Sequence, residues 1–189
     1  MTSNFSLDRV VKAPAGFDPD KLYSFQGHWM KELPDDQKLA GVIPYLVQAR
    51  LLAEPVTPQQ QEFVARIVAA LGDRLKVFSD ILSARCFFQD DYPVDQKNFE
   101  KRVKKEGIPA HLTAFAQRMA GLEPFTVATL EPLLTAYCEE AGLNTGDLIH
   151  ALRLATTGQP VGPGVYDCLV LLGKERSLAR IAASVTGAG

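Results

Sequence analysis

Three side chains late in the chain, His150, Arg153 and Thr157, fall at i, i+3 and i+7 of a helical pattern and so share one face. Each can donate or accept hydrogen bonds. Gly158 ends that pattern. Gly162-Pro163-Gly164-Val165-Tyr166 then reads as a turn that starts a second helix, running into Leu171-Leu172-Gly173-Lys174-Glu175-Arg176. A proline–glycine turn at a helix start presents unpaired backbone N–H groups beside those side chains. This combination suits hydrogen bonding to the edges of unstacked nucleobases. The plainer reading is a solvated polar face.

Catalytic chemistry finds no comparable set. Gly164 to Lys174 lacks the GxxxxGK[ST] spacing of a phosphate loop, with Glu175 where a hydroxyl residue is needed. No GxSxG, HExxH or calcium-loop pattern occurs. Glu139-Glu140 and Asp90-Asp91 are sequence neighbours, which do not face one site on a helix. His28 and His111 have no partner at metal-ligand spacing and read as structural or solvated. A small hydrolase is therefore a weak reading, since no nucleophile–base pair can be named.

The elements that must position the polar face are helical throughout. Asp18-Pro19 reads as a cap with proline at the first helical position, and Thr57-Pro58-Gln59-Gln60 as a capping box. From Thr57 a helix placing Phe63, Ile67, Leu71, Leu75, Phe78 and Leu82 on one side is expected, broken off by Asp91-Tyr92-Pro93. Leu130, Leu133, Leu134, Tyr137 and Cys138 mark a further helix that Gly142 stops. Leu148, Ala151, Leu152 and Ala155 form the apolar stripe opposite His150 and Arg153. No segment alternates with period two long enough for a strand. The expectation is an all-α chain, with a linking segment over 1–35 and helical subdomains over 36–91 and 92–189.

Composition narrows the function further. The 189 residues are 47% hydrophobic and 22% charged, with a net charge of −2. That charge argues against holding nucleic acid chiefly by phosphate neutralisation, and leaves room for reading a short RNA by local contacts. Lys97, Lys101, Arg102, Lys104 and Lys105 form a basic run, either a solvated face or a phosphate contact. No apolar run reaches the roughly 18 to 20 residues of a membrane span, and Met1 to Phe5 lacks signal-peptide character. Cys86, Cys138 and Cys168 lie far apart; Cys138 and Cys168 sit in apolar helical patterns and are expected as buried free thiols. A reducing, cytoplasmic setting is expected.

Three stretches together resemble the C-terminal portion of bacterial glutamyl-tRNA synthetases. Phe5 to Val10, Phe17-Asp18-Pro19-Asp20-Lys21-Leu22 and Gly27-His28-Trp29-Met30-Lys31 resemble the segment linking catalytic body to anticodon-binding helices. Phe87-Phe88-Gln89-Asp90-Asp91-Tyr92-Pro93-Val94 resembles the family's EDYPV-like junction. Leu152 to Gly158 resembles LRxALTG, and Gly162 to Arg176 resembles xPGLFExLxLLGKER. The resemblance implies two consecutive helical anticodon-binding subdomains that recognise the tRNA for glutamate, with no DNA or membrane partner, in a monomer. It assigns the third anticodon base to Arg74, in Leu71-Gly72-Asp73-Arg74-Leu75, which the helical wheel puts near the edge of an apolar stripe. It assigns the first two bases to His150, Arg153, Gly162, Pro163, Gly164, Val165 and Tyr166. Here His150 stands where the family can carry glutamine, Gly162 where it can carry threonine, Tyr166 where phenylalanine is usual, and Gln26 where asparagine is expected.

The family's ATP signatures, a HIGH-like motif and a KMSKS-like loop, do not occur in this sequence. The resemblance thus implies a piece that begins just after the KMSKS region and cannot activate glutamate alone. ATP and magnesium would serve the parent ligase, and this chain needs no cofactor or metal. The competing reading is a stand-alone helical protein-interaction module derived from a synthetase.

Overall fold

Capping side chains set where the helices begin. The computed structural model describes Gly16 and residues 18–187; the Phe5 to Val10 motif, Phe17 and the reading of the first five residues lie outside them. Asp18 caps α1 (Pro19–Glu32), its carboxylate accepting from the N–H groups of Asp20 and Lys21, both at 3.1 Å. α2 (Asp35–Gln48) follows. Thr57 and Gln60 close the expected capping box at the head of α3 (Pro58–Leu71).

The long helix expected after Thr57 stops early. α3 ends at Leu71, Gly72 takes φ +51°, a 3₁₀ turn covers Gly72–Arg74, and a longer 3₁₀ segment covers Phe78–Phe87. Two local preferences break the helix. Gly72 adopts a conformation that L side chains disfavour. Asp80 then accepts from the N–H groups of Lys76 and Val77 at 2.8 and 2.9 Å, donors a continuing helix would need for itself. The redirected chain buries Leu75, Ile81, Ala84 and Phe87, while Phe78 and Leu82 stay half-buried.

Past the junction at 88–95 come α4 (Gln96–Arg102), α5 (Ile108–Ala120), α6 (Val127–Ala141), α7 (Thr145–Thr157), α8 (Val165–Leu172) and α9 (Lys174–Thr186). Gly142 and Gly158 end α6 and α7 as expected, at φ +62° and +72°. Among the described residues there is no strand, and no helix is long and apolar enough to cross a membrane. The chain is all-α.

Buried side chains gather into two clusters that meet at α8. The first holds Val42, Leu46, Val64, Ile67, Ile81 and Phe87, and takes Cys168, Leu171 and Leu172 from α8. The second holds Leu112, Phe115, Leu130, Leu134, Leu148 and Leu152, and takes Val165 and Leu169 from the same helix. A helix buried on both sides must be apolar nearly all round, as Val165 to Leu172 is.

Arg180 of α9 locks the two clusters together. It is 9% exposed. Its guanidinium donates to the carbonyls of Cys86 (2.8 Å) and Gln89 (3.1 Å) in the first part and of Thr156 (2.6 Å) at the end of α7. It also pairs with Asp90 at 2.6 Å and stacks 4.4 Å from the Tyr92 ring centroid. One turn earlier, Arg176 reaches the Phe87 carbonyl and Asp90, both at 3.0 Å. Carbonyls at helix ends lack intrahelical donors, and a cation there also meets the negative end of the helix dipole. Arg180→Ala is expected to lower the unfolding free energy by about 3–5 kcal/mol, because it takes the shared donor from three carbonyls and a carboxylate. Asp90→Asn is expected to cost less than about 1 kcal/mol, since the Asp90 side chain is 79% exposed. Urea denaturation of the two variants measures this; equal, small losses would contradict it.

Candidate nucleic-acid interface

α7 starts from Asn144, whose side-chain oxygen accepts from the N–H groups of Gly146 and Asp147 at 2.8 and 3.3 Å. It buries Leu148, Ala151, Leu152 and Ala155, the stripe read from the sequence. On the other side His150 is exposed and Arg153 half-buried. Thr157 departs from expectation: it is 5% exposed, and its hydroxyl donates to the Arg153 carbonyl at 2.8 Å. The wheel is right about its direction, but the junction covers that end of the helix. The Asp95 N–H donates to the Gly158 carbonyl at 2.8 Å, Gln159 Nε2 to the Pro93 carbonyl at 2.7 Å, and the Tyr92 hydroxyl to the Thr156 carbonyl at 3.3 Å. Gly158 is needed here for two reasons. Its φ is +72°, and a Cβ would lie 2.8 Å from the Pro93 carbonyl oxygen.

Arg153 supports the turn that follows. One of its guanidinium N–H groups donates to the Pro163 carbonyl, which leaves the rest of its planar fork for a ligand. Pro163 and Val165 are buried, Gly162 and Tyr166 half-buried, and Gly164 exposed. Val165 can therefore meet a ligand only through its backbone. The Tyr166 ring packs against the second cluster; burial raises its hydroxyl above the ordinary value, and the charge of Glu131 adds to the rise. At the same turn the sequence reading passed over Asp167. A Cβ on Gly164 would sit 2.4 Å from an Asp167 carboxylate oxygen. The glycine thus makes room for an acceptor at the start of α8, where the helix dipole favours negative charge.

Arg74 approaches from the other cluster. It is exposed at the end of the 3₁₀ turn and has no ion pair among the described residues, rather than flanking a helical apolar stripe. Its neighbour Asp73 is engaged elsewhere, with Lys31 of α1 at 2.7 Å. Leu71 and Leu75, which flank the Arg74 turn, pack in the same cluster as Cys168 of α8. The Cys168 thiol lies 3.7 Å from the Pro163 carbonyl. Burial pushes that thiol up to about 12, while the charges of Arg153 and, more weakly, Arg74 pull it down. Arg153 and the polar turn thus flank the start of α8, and the Arg74 turn belongs to the cluster that takes Cys168 from the same helix.

Three of the five cations of the basic run are paired locally, two of them sharing one carboxylate. Lys105 and Arg102 pair with Asp147 at 2.7 and 3.7 Å, and Lys104 with Glu100 at 2.8 Å. The hydrogen bond and charge of Lys105 hold the Asp147 carboxyl below its usual range. Lys97 and Lys101 are exposed. His111 hydrogen-bonds the Tyr137 hydroxyl at 2.9 Å, a structural contact, and His28 is exposed with its ring edge-on to Trp29. Among the described residues no group of three or more His, Cys, Asp or Glu is placed to hold a metal ion. The surface offers donors, an acceptor and backbone N–H groups.

Comparisons with known proteins agree on one family. Residues 37–185 match the family described as the anticodon binding domain. The chain is 34% identical over 186 residues to a glutamate–tRNA ligase of Roseiflexus sp. (strain RS-1), covering 97% of this chain and 37% of that protein. It is 36% identical over 185 residues to glutamate–tRNA ligase 1 of Sphingopyxis alaskensis, covering 95% and 37%. The chain spans a little over a third of the length of these relatives. A crystal structure of a glutamate tRNA ligase from Elizabethkingia meningosepticum, in complex with its amino acid, shares the fold. Its TM-score is 0.76 at 21% identity, over 96% of this chain and 35% of that one.

The three cysteines are free and buried. Burial raises Cys86 and Cys168 from an ordinary 9.0 to about 11 and about 12. Folding stability should therefore be unaffected below pH 9.0 and fall as pH rises from 9.0 to about 11 and 12, the range in which the unfolded thiols are ionised and the folded ones still protonated. At neutral pH iodoacetamide is expected to label neither thiol in the native chain and both in urea. Native labelling as fast as in urea would contradict the packing of α8 between the clusters.

Proposed function

The chain belongs to the anticodon-binding domain family, and from that we propose that it binds tRNA by its anticodon loop, as the recognition part of a glutamate–tRNA ligase. The tRNA for glutamate is the proposed partner, met by a monomer in the cytoplasm. ATP and magnesium belong to the parent enzyme's chemistry. This chain contributes binding: splayed bases approach the start of α8, meet the backbone of Gly162 and Gly164, and are read by arginine forks.

One observation carries the proposal: Arg153 holds the Pro163 carbonyl of the turn, while Arg74 stands exposed and without an ion pair among the described residues on a short turn whose flanking Leu71 and Leu75 pack in the same cluster as Cys168 of α8. Arginine hydrogen-bonds base edges in pairs, and Asp167 adds an acceptor for exocyclic amino groups. His150, exposed one turn before Arg153, completes the face from α7.

A second reading, the protein-interaction module, has one observation in its favour. Leu22, Phe25 and Trp29 of α1 are 46%, 56% and 63% exposed at i, i+3 and i+7. The readings separate on RNA. For an anticodon stem-loop, Arg74→Ala and Arg153→Ala are each expected to weaken binding by about 1–3 kcal/mol, the scale of one bidentate base contact. Fluorescence anisotropy measures it. Unchanged affinity in folded variants of both would contradict the proposal and favour the module.

A further inference from the structure

Beside the Gly162 turn lies a cavity of 350 Å³ that the anticodon-reading residues do not fill. Leu82 and Arg85 of the Phe78–Phe87 segment form one wall, Pro93 of the junction another, and Gln159 and Val161 the third. It thus opens between the two parts of the chain, on the loop that runs directly into Gly162. Its volume falls in the range of small-ligand pockets, about 300–1,000 Å³.

Arg85 is the unusual member. Its Nε is buried without a hydrogen-bond partner, and its guanidinium makes no hydrogen bond or ion pair among the described residues. The two terminal nitrogens are not among the buried unpaired atoms, so they are open to solvent and free to donate into the cavity, while the buried Nε–H lacks an acceptor. No carboxylate lines the cavity to neutralise it. Val161, 73% exposed at the mouth, is an apolar side chain with no covering contact. Leu82, Tyr92, Pro93 and Val161 give apolar contact, and Ser83, Thr157 and Gln159 add polar groups beside a planar five-donor fork; this mixture fits an aromatic ring whose edge carries oxygen and nitrogen acceptors, which describes a nucleobase.

We propose that this cavity is a slot for one unstacked base of the bound RNA loop, next to the bases held at the Gly162 turn, with Arg85 donating to its edge and Val161 and Leu82 flanking its faces. This rests on the anticodon-reading proposal and extends it to a residue outside the resemblance. The slot gives the first part of the chain a second base contact besides Arg74, and uses the junction as its floor.

The test uses the full chain and anticodon stem-loops carrying a fluorescent adenine analogue at each loop position in turn. With the wild type, one position should be sensitive to Arg85. Arg85→Ala should weaken binding roughly tenfold, about 1.4 kcal/mol, and abolish the fluorescence change at that position alone. Arg85→Lys, which keeps charge but not the fork, should restore less than half of that loss. Val161→Glu is the control for folding, because it changes an exposed side chain and places a carboxylate at the mouth; it should lose the same signal. Binding within twofold of wild type and an unchanged fluorescence map in Val161→Glu and in folded Arg85→Ala would overturn the slot. If those variants bind normally while Arg74→Ala and Arg153→Ala do not, only the slot falls. If the wild type binds no stem-loop, both proposals fall.

Discussion

One guanidinium carries the architecture. Arg180 spends its donors on carbonyls at two chain ends that have no other strong partner, the exit of the 3₁₀ segment and the last turn of α7. Those two ends lead into the junction and into the Gly162 turn. Without a cation there, these carbonyls would lose their charged donor, and the two apolar clusters would be joined by α8, Arg176 and the weaker contacts of the junction with the end of α7. The Asp90 carboxylate, held below its ordinary range chiefly by its hydrogen bond to Arg180, is a mostly solvated partner and adds little. The directional backbone contacts are what fix the angle between the parts.

The polar site follows from that constraint. A turn can read a ligand only if it is held still, and the Gly162 turn is held by Arg153 at Pro163 and by α8 wedged between the clusters. Glycines stand where backbones must come close. Gly158 lets the junction lie on the end of α7, and Gly164 lets Asp167 fold over the start of α8. The junction, the turn and the LLGKER segment are therefore one object. The polar residues that the sequence singles out around them divide into those that face outward, such as His150, and those that hold the others in place, such as Thr157 and Arg176.

Much of this was legible in the residues. Caps at Asp18 and Thr57, stops at Gly142 and Gly158, and the apolar stripe of α7 are local physics, decided within a few residues. What could not be read were a masked local break and the effects of distant segments. The apolar period of Leu75, Phe78 and Leu82 carries the wheel through Gly72 and hides two local breakers, the glycine itself and Asp80, which captures the N–H groups of Lys76 and Val77. The wheel placed Thr157 outward because the covering atoms come from Tyr92 to Asp95, some 60 residues earlier. Arg74 falls beside an apolar stripe only on a continued α3; with the helix ended at Leu71 it is exposed on a short turn. Arg180 carries no motif of its own; only its place one turn after Arg176 hinted that both face the junction. The separation of α8 residues between two clusters is likewise tertiary, since Cys168 and Leu169 are neighbours in sequence and enter different cores.

If arms from two clusters read one anticodon, then affinity must depend on the identity of each anticodon base and not merely on a stem-loop's charge. The direct measurement is the dissociation constant of the wild-type chain for the stem-loop bearing the glutamate anticodon and for loops with each anticodon base replaced in turn, at fixed salt. The account predicts that every replacement weakens binding, by about 1–3 kcal/mol for a lost bidentate contact. Equal affinity for all the loops would contradict it.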